Sequence, residues 1–242
     1  MKSILITGAS SGIGRATAEL FLDKGWTVGM LARRAEVLDE IAAGREAAMS
    51  LPADITDPDA VSQAFDSFVR KAGRLDVLFN NAGVFVPGGT VDEIALDDWF
   101  HAVNVNLNGM FMAARAAFGI MRHQDPQGGR IINNGSIAAH VPRPHSAPYA
   151  ATKSAITGLT RSLSLDGRPY SIACGQIDIG NARTPMVEDL NAAKQARGEE
   201  PDPSMDVMDA ARSILHMADL PLEANVQFMT VMATTMPYIG RG

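Results

Sequence analysis

Tyr149 and Lys153 stand four residues apart in Ser146-Ala-Pro-Tyr-Ala-Ala-Thr-Lys153. Four residues make just over one helical turn, so a phenol and an amine share one helix face. Pro148 suits the first turn of such a helix, where its missing N–H is no loss. A phenol titrates near pH ~10 and exchanges protons poorly at neutrality unless a cation lowers that value. Lys153 could be that cation. Taken alone, the pair could equally be an ordinary half-buried tyrosine and a solvated lysine, so the remainder of the chain has to decide.

Near the start, the apolar run Ser3–Thr7 meets Gly8-Ala-Ser-Ser-Gly-Ile-Gly14, and Arg15–Leu22 follows with helical character. Gly8, Gly12 and Gly14 let the backbone turn tightly, and a helix starting there offers free N–H groups and a positive dipole end to a pyrophosphate. Ser10, Ser11 and Ile13 lie in the same cradle. A glycine triplet alone is a weak signal; strand before and helix after are the context it needs. The second strand, Gly25–Leu31, leads to Ala32-Arg33-Arg34. In a dinucleotide fold that strand end meets the adenosine ribose, where a carboxylate would bind the 2′-hydroxyl. Ala32 takes the place of the acid, and the guanidiniums of Arg33 and Arg34 suit a phosphate instead. The expectation is NADP(H), with NAD(H) possible. A solvated pair at a helix start is the plainer alternative.

These features need a scaffold. Glu46–Leu51 reads as a third strand, with Asp54 and Ile55 beside the adenine, and Asp57-Pro58 opens a helix to Lys71. Leu75–Asn80 is a fourth strand running into Asn81-Ala82-Gly83, and Gly129–Ser136 a fifth. One long helical pattern runs from Leu96 to Arg122, with asparagines at 104, 106 and 108 that helix propensity disfavours. The helix bearing Tyr149 runs to about Leu165; Ser171–Ile177 and Val226–Met232 supply strands six and seven, and Asp206–Met217 is an amphipathic helix. Alternating strands and helices predict an α/β fold, a doubly wound, seven-stranded parallel sheet of the Rossmann type in three αβα layers. One domain over residues 1–242 is expected, with a polar, mobile cover at about 186–205.

At 242 residues, with 46% hydrophobic and 20% charged residues, the chain has the composition of a soluble globular protein. The formal charge of −6 argues against a nucleic-acid partner. Cys174 is the single cysteine, and no His or Cys cluster has zinc-ligand spacing, so no metal is expected. His140 and His145, five apart in a proline-rich loop, are a poor metal pair. No apolar run reaches the ~18 residues of a membrane span, and the N-terminus lacks a signal-peptide layout; a cytoplasmic protein is expected.

Taken together, these residues resemble the short-chain dehydrogenase/reductase family in its shorter single-domain form, over nearly the whole chain. Thr7-Gly-Ala-Ser-Ser-Gly-Ile-Gly14 is similar to the family's cofactor motif, and Asn80-Asn-Ala-Gly83 to its sheet-stabilising motif. Asn106, in Val105-Asn-Leu107 with Gly109 beyond, matches the catalytic asparagine, and Ser136, thirteen residues before Tyr149, the catalytic serine. The resemblance implies hydride transfer between a nicotinamide and a carbonyl or alcohol. Tyr149 would be the acid in reduction and the base in oxidation. Ser136 would hydrogen-bond the substrate oxygen. Lys153 would hold the nicotinamide ribose and lower the Tyr149 pKa, and Asn106 would anchor a water chain from Lys153. Gly180, Ala182 and Thr184 match cofactor-contacting positions after the sixth strand. A homo-oligomer, tetramer or dimer, is implied by the same likeness.

Two departures stand out. Gly175 and Ile179-Gly180 replace the family's Asn and Pro-Gly, and the C-terminus ends in Met236-Pro-Tyr-Ile-Gly-Arg-Gly242 rather than carrying Asp-Gly-Gly. Phe85, Val86, His140, Val141, His145 and Met186 are expected to line a largely apolar substrate pocket. Two other readings compete. A 3-oxoacyl-thioester reductase acting on a carrier protein would need a basic docking patch, for which Arg122, Arg130 and Arg168 are scattered candidates. A dinucleotide-sensing binding protein without catalysis would not need its Tyr or Lys, yet both are present.

Overall fold

Apolar runs buried on both faces are what a parallel sheet requires of its strands, and β1 (Ser3–Thr7) is buried at every position. Along it, Ile4 and Ile6 face one core cluster and Leu5 the other, as the two-residue period of a strand dictates. In the computed structural model, which describes residues 1–239, β1 is an interior strand, third from one edge, of a seven-stranded sheet. The other strands are β2 (Thr27–Ala32), β3 (Ala48–Pro52), β4 (Val77–Asn80), β5 (Gly129–Asn134), β6 (Ile172–Ile179) and β7 (Phe228–Val231). Their order is β3-β2-β1-β4-β5-β6-β7, and every pairing is parallel. The order reverses between β1 and β4, and a crevice opens at the carboxyl ends of strands at such a point.

Helices α1 (Gly12–Asp23), α2 (Ala35–Ala42) and α8 (Val207–Asp219) cover one face through Phe21, Leu38 and Ile214. The other face carries α3 (Pro58–Ala72), α5 (Met110–His123) and α6 (Ala147–Gly167), with Phe65, Phe68 and Ala117 in its core. The expected doubly wound, three-layer sheet is the one observed.

Several boundaries differ from expectation, three of them by an identifiable cause. Residues 46–47 still belong to a turn, with the Arg45 N–H on Ala42 and the Ala48 N–H on Arg45, so β3 begins at Ala48. The sixth strand continues to Ile179 because β7 pairs with Gln176–Ile179. The long helix is α4 (Leu96–Val103) and α5 joined by a π-helical segment, Asn104–Gly109. The region expected as a polar cover is largely helical: α7 (Pro185–Ala196) starts on a Thr184 cap, and Asp202 beyond it pairs with Arg143 and Lys194 at 2.8 Å each. Gly240–Gly242, the last part of the unusual C-terminus, lie outside the described residues.

Helix α3 is punctuated as its sequence predicts. Asp57 accepts from the N–H groups of Asp59 and Ala60, Pro58 opens the first turn, and Gly73 closes the helix at φ 81°. Losing such a cap costs about 1 kcal/mol. Asp57→Ala is therefore expected to lower the melting temperature by about 2–4 °C with the far-ultraviolet circular dichroism unchanged. An unaltered melting temperature would contradict the cap assignment.

Candidate active site

The carboxyl ends of β1, β2, β4 and β5 border a crevice of about 510 Å³. Its floor is stitched by Thr7, whose hydroxyl accepts from the main-chain N–H groups of Asn81 (2.8 Å) and Ala82 (2.9 Å) while Asn81 Nδ2 donates to the Thr7 carbonyl. Gly8, Ser10, Ser11, Gly12 and Ile13 line one wall, with Gly8 at φ 68°. Gly14 does not line the crevice: a Cβ there would overlap the Gly8 carbonyl, so its role is close packing of helix on loop. The loop and the start of α1 make the anion cradle that a pyrophosphate needs. Asp54, Ile55, Asn81, Ala82, Gly83, Tyr149, Lys153 and Thr184 complete the lining.

The two arginines separate. Arg34 Nη2 donates to the Ser10 carbonyl (3.1 Å) and hydroxyl (3.0 Å), so it braces the glycine loop. Arg33 is exposed at the same crevice wall, which Arg34 also borders, and its charge acts on Asp54. The Asp54 carboxyl lies below its usual range because the Thr56 N–H and hydroxyl bond to it, with a smaller effect of Arg33.

Lys153 is 2% exposed and donates to the Asn134 carbonyl at 2.7 Å. Burial pushes its ammonium down to about 8, and the charge of Asp178 partly offsets this. Tyr149, one turn earlier, rests its ring against Phe85 at 5.0 Å between centroids. Burial raises its pKa; a side-chain hydrogen bond from Ser136 and the charge of Arg143 pull it down, and Asp178 pushes it up. The lowering expected of Lys153 thus comes here from Ser136 and Arg143, since the ammonium lies 5.6 Å from the ring centroid and is itself drawn toward neutrality. Ser136 Oγ accepts from the Ala138 N–H as the cap of a short 3-10 turn (Ile137–Ala139) just beyond β5, which leaves its proton free to donate.

Asn106 is wholly buried in the π-helical segment. Its Oδ1 accepts from Val84 N–H (2.7 Å) and its Nδ2 donates to the Val84 carbonyl (2.9 Å), with Thr152 Oγ1 at 3.4 Å. Its amide therefore clamps the loop after β4. Gly83 separates it from Lys153, a Cβ at 83 lying 3.3 Å from Asn106 Oδ1 and 3.9 Å from Lys153 Nζ. Asn104 and Asn108 bond to each other at 3.0 Å on the exposed side.

Gly180 and Ala182 do not line the crevice. The Gly180 N–H donates to Val231 on β7, and Ala182 forms an isolated bridge with Met205. Both shape the loop that delivers Thr184. Sequence reading missed several residues. His101 and Asn104 border the crevice, as does Asn134, whose Oδ1 is buried without a protein partner. Asp178, 1% exposed, lies behind Ser136. A charged residue in Ile177-Asp178-Ile179, inside an otherwise apolar strand, was the available signal for the last.

A nicotinamide dinucleotide fits these residues. Glycines permit close approach, a helix start faces the phosphates, an unpartnered side-chain Oδ1 of Asn134 awaits a donor, and Arg33 is free to meet charge at the ribose end. Among the described residues no group of three or more His, Cys, Asp or Glu side chains could hold a metal ion.

The family model described as short chain dehydrogenase matches residues 2–195. A 3beta-hydroxysteroid dehydrogenase of Mediterraneibacter gnavus is 36% identical over 203 residues, covering 82% of this chain and 72% of the relative. A crystal structure of 3-ketoacyl-(acyl-carrier-protein) reductase from Brucella melitensis complexed with NADH superposes with a TM-score of 0.84 at 25% identity, over 96% of each chain. The closed form of serine dehydrogenase complexed with NADP+ shares the fold, with a TM-score of 0.87 at 24% identity over 99% of this chain and 98% of that one.

The buried ammonium carries a measurable stability penalty. A folded pKa of about 8 against an ordinary 10.5 disfavours the charged form in the fold, by roughly 3 kcal/mol at neutral pH. The penalty is complete below pH 8 and vanishes as pH rises to 10.5, because the unfolded chain binds the extra proton only in that window. Lys153→Met, compared without cofactor by chemical denaturation, should thus be more stable than the parent at pH 7. The gap should close between pH 8 and 10.5.

Proposed function

The chain belongs to the short-chain dehydrogenase family, and on that premise we propose an oxidoreductase of carbonyl and alcohol substrates that prefers NADP(H). Bound in the crevice, the nicotinamide supplies the hydride chemistry. The chain's own residues supply position and protons. Lys153 and the side-chain Oδ1 of Asn134 hold the ribose end, and Thr184 closes over it. Ser136 donates to the substrate oxygen as negative charge develops there. Tyr149 gives its proton in reduction and takes it in oxidation, and its raised pKa keeps it loaded as an acid at neutral pH. Asn106 keeps the loop at Val84 in place, so that Gly83 can pass close to Lys153.

The observation that carries the reading is the convergence of Ser136, Tyr149 and Lys153 at one strand edge, beside a glycine cradle and a free Arg33. Residues 1–242 act as one cytoplasmic unit in this reading, and the 186–205 segment covers the substrate. No helix among the described residues is long and apolar enough to cross a membrane. Exposed Phe100, Phe111 and Leu165 on α4, α5 and α6 support pairing of those helices across a dimer or tetramer. The ketoacyl-reductase neighbour favours keeping a carrier-bound 3-oxoacyl thioester among the substrates to be screened. The arginines offered for carrier docking argue the other way. Arg130 is 1% exposed and caps the end of α8, and Arg122 and Arg168 lie with it at the amino edge of the sheet, opposite the crevice.

Turnover of a panel of aldehydes, ketones and alcohols with NADPH and NADH tests the activity. Tyr149→Phe should reduce kcat by roughly 10²–10⁴-fold with cofactor binding retained, whereas a binding module would turn over nothing before or after the change. Arg33→Ala should weaken NADPH at least about tenfold, the loss of about 1.4 kcal/mol from a charge-assisted contact, and leave NADH nearly unaffected. Equal losses for both cofactors would refute the phosphate role.

A further inference from the structure

Asp178 is a carboxylate inside the sheet, 1% exposed, with no lysine or arginine bonded to it among the described residues. Its Oδ1 accepts from the Ser136 main-chain N–H at 2.9 Å and from Gln176 Nε2 at 2.7 Å. Its Oδ2 lies 3.0 Å from His140 Nε2 on a side chain that is 42% exposed. Burying a carboxylate is costly unless hydrogen bonds replace its water, and here three donors do so.

The space it occupies exists because residue 135 is glycine. A Cβ at 135 would overlap Asp178 Oδ1 and approach Gln176 Nε2 to 2.6 Å. Behind the carboxylate a line of buried amides and hydroxyls crosses the sheet. Gln176 Nε2 also donates to Thr157 (3.1 Å), Thr160 donates to Gln176 Oε1 (3.0 Å), and Asn133 donates to Thr160 (2.9 Å). Asn80 donates to Asn133 (3.0 Å) and to the Met110 carbonyl at the end of the π-helical segment (2.8 Å). Each strand from β4 to β6 and helix α6 contributes a member, so Asp178 is held from within while it holds Ser136.

We propose that Asp178 is a positioning residue, which fixes the Ser136 main chain through Gly135 and sets the charge that Tyr149 and Lys153 experience from the β6 side, with His140 as its partner at the surface. This rests on the assignment of Ser136 and Tyr149 to catalysis. The charged groups facing that pair are Arg143 from the loop before α6, itself paired with Asp202, and Asp178 from β6. A negative charge at 178 favours the protonated forms of both Tyr149 and Lys153. It thereby favours the enzyme form that reduces a carbonyl.

Asp178→Ala and Asp178→Asn separate the two roles. Alanine removes the acceptor behind Ser136 and should lower kcat by about ten- to a hundred-fold, the penalty of a slightly misplaced group, with NADP(H) affinity unchanged. Asparagine keeps an acceptor and discards the charge. It should recover most of kcat, and the pH of half-maximal alcohol oxidation should move lower by about half a unit or more. Gly135→Ala should damage the parent enzyme and add less to Asp178→Ala, because the closest clash, with Asp178 Oδ1, has been removed and only the approach to Gln176 Nε2 remains. If Asp178→Ala fails to fold, the pH profile of Asp178→Asn decides. Full kcat in the alanine variant, an unshifted profile in the asparagine variant, or additive losses with Gly135→Ala would each overturn the proposal. Tyr149→Phe measured alongside keeps the cases apart: retained turnover there would sink the catalytic assignment itself, whereas a dead Tyr149→Phe with an indifferent Asp178 would sink only the positioning role.

Discussion

The ammonium of Lys153 is kept out of water by α6 and the sheet, with the Asn134 carbonyl as its hydrogen-bond acceptor at 2.7 Å. A buried amine is tolerable only where its neighbours are fixed, because any loosening returns it to solvent or neutralises it. Its neighbours are therefore on rigid elements. Asn134 ends β5, Gly83 follows β4, and α6 carries Lys153 itself, with Pro148 and Thr152 of the preceding turns buried as well. The parallel sheet sets all of these at its carboxyl edge, where β1 and β4 part and leave room for a long ligand.

Polar groups inside the sheet make that edge stiff. Asn80, Asn133 and Gln176 occupy adjacent strands, and their side chains bond to one another or through Thr160. In a low-dielectric interior such groups are costly unless satisfied, and once satisfied they admit few alternative arrangements. The π-helical segment serves the same end. Its wider turn lets Asn106 face inward onto Val84 while Asn104 and Asn108 pair outside. Gly109 allows the close packing on Ile55, whose side-chain carbons a Cβ would meet at 3.0 Å.

Most of this framework was legible in the sequence. Seven strands and their helices follow from apolar runs punctuated by Gly, Pro and Asp, and Asp57, Pro58 and Gly73 mark α3 from both ends. Local signals were sufficient there because a strand buried on both faces reads as a short apolar run between breakers. Long-range pairings were not legible. Both arginines border the crevice, and nothing in Ala32-Arg33-Arg34 marks Arg34 as the one that also folds back on Ser10. Nor does spacing reveal that Gly180 and Ala182 would serve β7 and Met205 instead of the ligand. Asp178 carried a signal, a charge in an apolar strand, but its meaning depended on Gly135 forty-three positions earlier.

The same division explains why chemistry is easier to read from this chain than substrate. Tyr149, Lys153 and Ser136 lie on or beside regular elements whose geometry is fixed by period and packing. On the reading proposed above, the residues that would select a substrate lie on the 3-10 turn after Ser136, the proline-rich loop to Ser146, and α7 with its approach. Those segments are tied by side-chain contacts, Arg143 to Asn181 and Asp202, and Lys194 to Asp202. Their shape thus depends on pairs distant in sequence, and one changed partner would alter the opening without disturbing the strand edge. The strand edge bearing Ser136, Tyr149 and Lys153 can therefore persist unchanged while the opening in front of it changes, since the two are held by different physical means.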